Sequence, residues 1–420
     1  MISWIYEKCP DISLEPYWEA KFEGSSYGFR PGRGCHDAIE KIYRLARPNT
    51  RKKWVVDADI KGCFDNIDHQ YLLDTIGPIP GRELIKQWLK AGYVDKDVVY
   101  ETEAGTPQGG VISPLLANIA LHGMEEALGV THNSQGNTKV PRAVVRYADD
   151  FVVFCESKED AEQAKNTLKE WLGNRGLSLS EEKTQIVHLT KGFDFLGFNI
   201  RQYKAPLTSK SGFKLLTKPS KKSVTAIRKK VRETWRQGRG ANVPVLIRKL
   251  NPIIRGWANY FRIGVAKEIF EKLDRWMFHK EYRYASHTHP LKPWYWRKER
   301  YWGRLNPHSK DNWMFGDKQS GQYLLKFSGF DIRRHRMVIG THSPDDPRLK
   351  EYWKERNKTP VKDLPSKEQR IAKRQDSLCE KCGATLFNGE LLHIHHVKPR
   401  KDGGGDGIHN LRLILTVRSF

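Results

Sequence analysis

The chain has 420 residues, a mean hydropathy of −0.66 and a formal charge of +24. Such a length predicts about two to four domains with a sizeable core, and with no apolar run near the roughly 20 residues of a membrane span and no secretory leader, a soluble cytoplasmic protein is expected. Six scattered cysteines, of which only Cys379 and Cys382 are close together, read as free thiols of a reducing compartment and exclude a disulfide framework.

In chain order, the first informative stretch is Trp54-Val55-Val56-Asp57-Ala58-Asp59-Ile60, a predicted strand. Side chains alternate with period two, so Val55, Asp57 and Asp59 share a face, and Asp59 falls where the strand runs out toward Gly62. Next comes a glycine-rich loop, Gly105–Gly110. Gly109 and Gly110 lack Cβ and admit close approach of a sugar or base pair, with Gln108 as a polar contact. Ser113 is placed to cap a helix with Pro114 at its first position, and Leu116, Ile119, Ala120, Met124 and Ala127 follow as a core stripe. Val144–Tyr147 and Phe151–Phe154 then read as a hairpin whose tip carries Asp149 and Asp150, although Ala148-Asp149 is not a usual hairpin pair. Two carboxylates at one tip repel, which favours a divalent cation; a plain surface turn is the bland alternative. If this hairpin lies beside the first strand, Asp59, Asp149 and Asp150 converge, and three hard oxygen donors suit Mg2+. A helix starting at Ser157, with Ala161, Ala164, Leu168 and Trp171 inward, and a returning strand within 177–189 complete an α+β pattern with an antiparallel sheet.

Charge then changes character. Residues 1–200 hold 24 Lys and Arg against 29 Asp and Glu, residues 201–300 hold 26 against 6, and residues 301–420 hold 23 against 14. A basic stretch interleaved with aromatics suits a polyanion, although a solvated basic face is the alternative. Three amphipathic helices are predicted there. The first has Val224, Ile227, Val231 and Trp235 inward, with Lys221, Lys222, Lys229, Lys230 and Arg236 elsewhere. A second starts at Asn251-Pro252 and includes Arg255; the third runs from about Ala266 through Trp276.

Several of these stretches together resemble a known family. Tyr147-Ala148-Asp149-Asp150, Asp59-Ile60-Lys61-Gly62-Cys63-Phe64-Asp65 and Gly105-Thr106-Pro107-Gln108-Gly109-Gly110 are similar to reverse transcriptase palms. Ser26-Tyr27-Gly28-Phe29-Arg30-Pro31-Gly32-Arg33 and Arg255-Gly256-Trp257-Ala258-Asn259-Tyr260-Phe261 narrow the resemblance to group II intron-encoded reverse transcriptases and maturases. The resemblance implies a multidomain α+β fold: partial fingers and right-hand palm over 1–200, a helical thumb or maturase domain over 201–300, a DNA-binding region over 301–365 and an incomplete HNH endonuclease domain over 366–420. It implies RNA-directed DNA synthesis with a two-metal Mg2+ site on Asp59, Asp149 and Asp150. Phe64 would crowd the sugar 2′ position, with the adjacent Cys63 as the other candidate for that place and core packing nearly as good an account of Phe64. Gln108 and Gly109 would contact template or deoxynucleotide, and Lys183 would approach the triphosphate unless it is a surface lysine. Phe193–Phe198 resembles a primer-grip hairpin or serves as apolar packing. Implied partners are group II intron RNA, a template–primer duplex and target DNA. The compartment is a bacterial cytoplasm or an organellar matrix.

At the C-terminal end, Cys379-Glu380-Lys381-Cys382 is half a zinc knuckle, and His395-His396 with Asn410 resembles an HNH nuclease of the ββα-metal fold. In that family the first histidine helps hold the metal, the second is the general base and the asparagine positions it. The second cysteine pair and the final histidine helix are missing, so the module is expected neither to bind zinc tightly nor to cut DNA. Relative to the family, the chain is expected to be truncated at both ends, which leaves as alternative a non-catalytic intron-RNA-binding fragment.

Overall fold

The computed structural model describes residues 14–416 except 80, 92, 96–97, 101–103, 107–109, 111, 133–137, 139, 207–210, 307–309, 362–363, 381–385 and 388–390. The chain folds into two compact units, one formed by residues 1–189 and 336–420, the other by residues 190–335. The stretch 301–365, expected as one DNA-binding region, is therefore divided between them.

The first unit is built on an antiparallel sheet. Its strands are β1 (Trp54–Asp59), β2 (Ala143–Tyr147), β3 (Asp150–Cys155) and β4 (Gln185–His188), in the order β2-β3-β1-β4. Alternation sorts the two faces of β1 near its C-terminal end. Val56 and Ala58 are buried with the core helices, while Asp57 and Asp59 point to the other, half-exposed face. The helix α1 (Lys158–Gly173) packs on the core side, capped by Ser157 Oγ, which accepts from Asp160 N at 3.0 Å. Its buried stripe is Ala161, Ala164, Leu168 and Leu172; Trp171, expected inward, is half-buried and lies under Arg175 at 3.6 Å. The helix Ser113–Ala120 begins one residue earlier than expected, with Ile112 as N-cap and Ser113 already helical. The continuous stripe expected through Ala127 is broken at Gly123, whose φ of 90° takes the left-handed region and starts a second short helix.

Residues 19–37 explain the Ser26–Arg33 motif. Buried Arg30 forks onto Glu19, Nε to Oε2 at 2.7 Å and Nη2 to Oε1 at 2.8 Å, and its Nη1 donates to the carbonyls of Glu23 and Ser26. The returning chain docks here: Arg33 donates to the Gly340 carbonyl at 2.8 Å, and Asp37 accepts from Val338 N and Arg356. A Cβ on Gly32 would meet the Trp353 ring at 2.6 Å.

The second unit opens with an antiparallel sheet of Phe193–Phe195, Phe198–Lys204 and Phe213–Pro219. Three long helices follow: α2 (Lys221–Gln237), α3 (Val243–Phe261) and α4 (Lys267–Thr288). The second of these starts at Val243, not Asn251. Pro244 supplies the helical start, and Pro252 sits inside the helix. A small sheet of Trp302–Gly303, Met314–Asp317 and Gln322–Tyr323 closes the unit.

Candidate active site

The site forms where β1 ends and the β2–β3 hairpin turns. In the register of β1 on β3, Asp59 lies directly opposite Asp150. Tyr147 pairs with Asp150 across the hairpin, so Ala148 and Asp149 alone make the loop. Ala148 takes φ 57°, a left-handed conformation that glycine or asparagine adopts at less cost. A chain of contacts through Arg146, Asn118 and Gly28 holds it there. The buried Arg146 guanidinium donates from Nη1 to the Ala148 carbonyl at 3.3 Å and to Asn118 Oδ1 at 3.0 Å. Asn118 Nδ2 donates to the Gly28 carbonyl at 2.9 Å. Gly28 lies so close that any Cβ there would collide with the Ala148 backbone.

Electrostatics follow from this crowding. Burial first, then the neighbouring charges of Asp149 and Asp59, push the Asp150 carboxyl up to about 7. Asp149 is also raised, chiefly by burial, with Asp59 adding to it. The compensating charge is Lys183, whose Nζ lies 2.7 Å from Asp59 Oδ2 and whose own proton affinity is raised by that bond. Lys183 is delivered by the turn after residue 177, where Ser180 N donates to the Asp59 carbonyl and Lys61 N to the Ser178 carbonyl. Among the described residues no group of three or more His, Cys, Asp or Glu is already spaced as a metal cage. What exists is three neighbouring carboxylates with one ammonium among them, a hard-oxygen donor set with surplus negative charge, which fits a divalent cation.

Beyond the strand end, Phe64 is half-buried, edge-on to Phe29 with ring centroids 6.1 Å apart. Its neighbour Cys63 is buried, and burial pushes its thiol up to about 12. The loop toward Gln108 is anchored at its start: Thr106 N donates to the Phe64 carbonyl at 2.6 Å, and Gly105, at φ 86°, has no room for a Cβ against the Phe64 and Asp65 backbone. Gln108 and Gly109 themselves lie outside the described residues.

Comparison with known proteins fits this arrangement. Residues 5–200 match the family of reverse transcriptases (RNA-dependent DNA polymerases), residues 224–302 the group II intron maturase-specific domain, and residues 379–415 the HNH endonucleases. The chain belongs to the group II intron-encoded reverse transcriptases and maturases. It is 34% identical to the group II intron-encoded protein LtrA of Lactococcus lactis, the match covering 48% of this chain and 43% of that protein. It is 32% identical to protein YkfC of Escherichia coli, over 47% of this chain and 60% of that one. Against an uncharacterized 91 kDa protein in the cob intron of Schizosaccharomyces pombe the identity is 31%, over 60% and 39%. The chain thus spans about half the length of the relatives it matches.

In this group II intron protein the basic helices sort as their sequence pattern requires. Ile227, Val231 and Trp235 of α2 are buried, while Lys221, Lys222, Lys229, Lys230 and Arg236 are exposed; Arg255 on α3 is half-exposed. The Arg255–Phe261 motif is mainly a packing device. Trp257 and Phe261 meet at 4.5 Å, Phe198 stacks on Tyr260 at 5.4 Å, and Tyr260 Oη donates to the Leu196 carbonyl. The Phe193–Phe198 hairpin is thereby fixed to α3 through its Leu196-Gly197 turn, both residues at positive φ.

The HNH-matched module pairs β5 (Leu391–His396) with β6 (Leu411–Thr416), placing His395 opposite Arg412 and His396 opposite Leu411. His395 is exposed. His396 Nε2 bonds Asp406 Oδ1 at 2.7 Å, and the Asp406 carboxyl is held at about 2 by that bond and by Arg400. Asn410 does not reach His396. It staples the connecting loop instead, accepting from Lys398 N and donating to the carbonyls of Lys398 and Gly405. Cys379 is buried in an apolar cluster with Ile371, Leu386 and Leu411, and Cys382 lies outside the described residues.

Sequence reasoning missed Arg146, Asn118 and Gly28 as the support of the Ala148-Asp149 turn. A lone arginine inside Val144-Val145-Arg146-Tyr147 was the available signal, since a strand buried on both faces rarely admits a guanidinium without a purpose.

Proposed function

We propose that this chain is an RNA-directed DNA polymerase that extends a primer on an RNA template, with Asp59, Asp149 and Asp150 as the residues that hold Mg2+. The observation that carries this reading is the cross-strand register of Asp59 on Asp150 with Asp149 in the adjoining two-residue loop. When bound, a pair of divalent ions supplies stabilisation of both the attacking and the leaving oxygen in an in-line phosphoryl transfer. The residues do the rest. The β-sheet fixes the three carboxylates, the Arg146–Asn118–Gly28 contacts hold the strained turn, and Lys183 places an ammonium beside Asp59 where a triphosphate's charge would be met. Phe64 is assigned to the sugar, and Gln108 and Gly109 to template and deoxynucleotide. The exposed cations of the second unit bind RNA through its backbone and shape, with intron RNA and the template–primer duplex as partners.

Primer extension on an RNA template with Mg2+ and deoxynucleotides tests the reading. Extension that Asp149→Ala abolishes is the expected result; no extension by a folded chain that still binds RNA would overturn it. That outcome would favour a second reading, a maturase that binds intron RNA without polymerising. The observation behind it is that residues 190–335, which contain the maturase-matched segment, form a compact unit of their own. The HNH module is proposed neither to retain zinc nor to cut DNA, because the two cysteines Cys379 and Cys382 do not by themselves close a tetrahedral zinc site and one or two histidines do not fix the nuclease metal; tight zinc retention by the purified chain would refute this.

A further inference from the structure

Phe29 stands beside the candidate active site in a backbone conformation that its residue type resists. Its φ of 57° lies in the left-handed region, where a residue other than glycine is strained. The strain is held from both sides. On one side a Cβ on Gly28 would lie 2.3 Å from Ala148 N, and the Gly28 carbonyl accepts from Asn118 Nδ2 at 2.9 Å. On the other, buried Arg30 forks onto Glu19 and donates to the Glu23 and Ser26 carbonyls.

Core burial does not offset this strain, because Phe29 is 48% exposed. What its ring does meet is Phe64, with centroids 6.1 Å apart and ring planes at 76°, an edge-on pair. Phe64 is half-buried and packs against the main apolar cluster, whereas its neighbour Cys63 lies inside that cluster. Thr106 N pins the Phe64 backbone by donating to its carbonyl at 2.6 Å. The freedom left to Phe64 is rotation of its side chain, and Phe29 borders that ring from outside the cluster.

A strained residue that adds little to the core points to a role at the site beside it. We propose that Phe29 is a positioning residue for sugar discrimination: its ring holds the Phe64 ring in the orientation that crowds a ribose 2′-hydroxyl. The proposal rests on the reading that Phe64 meets the sugar, and adds to it the residue that sets the ring. A half-buried phenyl without such a neighbour turns among staggered positions. One edge-on aromatic contact biases that choice by about two- to tenfold, and the bias passes into the ratio at which the two kinds of nucleotide are used.

The test uses the full chain and single-nucleotide extension of a primer on an RNA template with Mg2+. It compares kcat/KM for a deoxynucleotide with that for the matching ribonucleotide. The wild-type chain is expected to prefer the deoxynucleotide. Phe29→Ala, and Phe29→Gly, which removes the ring and suits the positive φ, are each expected to reduce that preference about fivefold, with deoxynucleotide extension within about twofold of wild type. Adding Phe29→Ala to Phe64→Ala is expected to change the preference no further, because the ring it acts on is gone. A preference unchanged in either Phe29 variant, or lowered equally with and without the Phe64 ring, overturns the proposal while leaving the Phe64 reading intact. A wild-type preference that Phe64→Ala does not alter, or no extension by the wild-type chain, would instead sink the underlying reading and the positioning role with it.

Discussion

The two units of this protein use positive charge in opposite ways. In the sheet unit Arg30 and Arg146 are buried, each with fixed partners: Arg30 on Glu19, Arg146 on Asn118 and the Ala148 carbonyl. In the helical unit Lys221, Lys222, Lys229, Lys230 and Arg236 are exposed and contribute to a common field. A buried guanidinium is tolerated only in one geometry, because its desolvation must be offset by particular hydrogen bonds. An exposed ammonium acts through its sum with others and is screened by salt. The sheet unit should therefore fail at single residues, and the helical unit by degrees.

The largest effect expected from this contrast is at the carboxylates. Asp59→Asn or Asp150→Asn should lower primer extension by about a thousandfold or more, the scale of several kcal/mol of lost transition-state stabilisation, with RNA affinity unchanged in a binding assay. Next comes Gly28→Ala. Its added methyl must displace the Ala148 turn, at about 1–3 kcal/mol of strain, so extension should drop and the thermal midpoint should fall; wild-type activity in this variant would break the view that the turn's position matters. A third effect is on pH dependence. Asp150 is protonated in the folded chain up to about 7, whereas in the unfolded chain it ionises in the ordinary carboxylate range, so between those values the folded state binds the extra proton and stability falls as pH rises. Buried Glu281, also raised to about 7 by burial, contributes the same sign. Unfolding midpoints measured from pH 4 to 8 without divalent cations should show the decline, and Asp150→Asn should flatten its part. The smallest effect belongs to single lysines. Lys229→Gln should weaken RNA binding only a few-fold and reduce the salt slope by about one; a large loss at one lysine would mean that the helical face reads a specific site and not a summed field.

Much of the architecture was legible because period and charge carry it. The β1 alternation, the hairpin of 143–155 and the buried stripe Ile227–Val231–Trp235 follow from side-chain spacing alone. Helix boundaries were less legible. Asn251-Pro252 reads as a start because proline favours the first turn, yet Val243-Pro244 offers the same signal earlier, and packing of Leu246, Ile247 and Leu250 extends the helix through Pro252. Asn410 was placed beside His396 by resemblance, whereas the loop it staples is satisfied by backbone bonds that no sequence pattern displays.

The sequence by itself determined which residues could bear the chemistry: three aspartates at strand ends, a lysine in a distant turn and a cationic helical stretch, each visible because residue type and local spacing define it. Tertiary structure decided the register that sets Asp59 against Asp150, the 2.7 Å approach of Lys183, the return of residues 336–356 onto Arg33 and Asp37, and the bonds by which Asn251 ties α3 to Tyr323 and Leu325. Those depend on contacts between segments tens to hundreds of residues apart, where pairing is chosen by the packing of the whole core and not by any local preference.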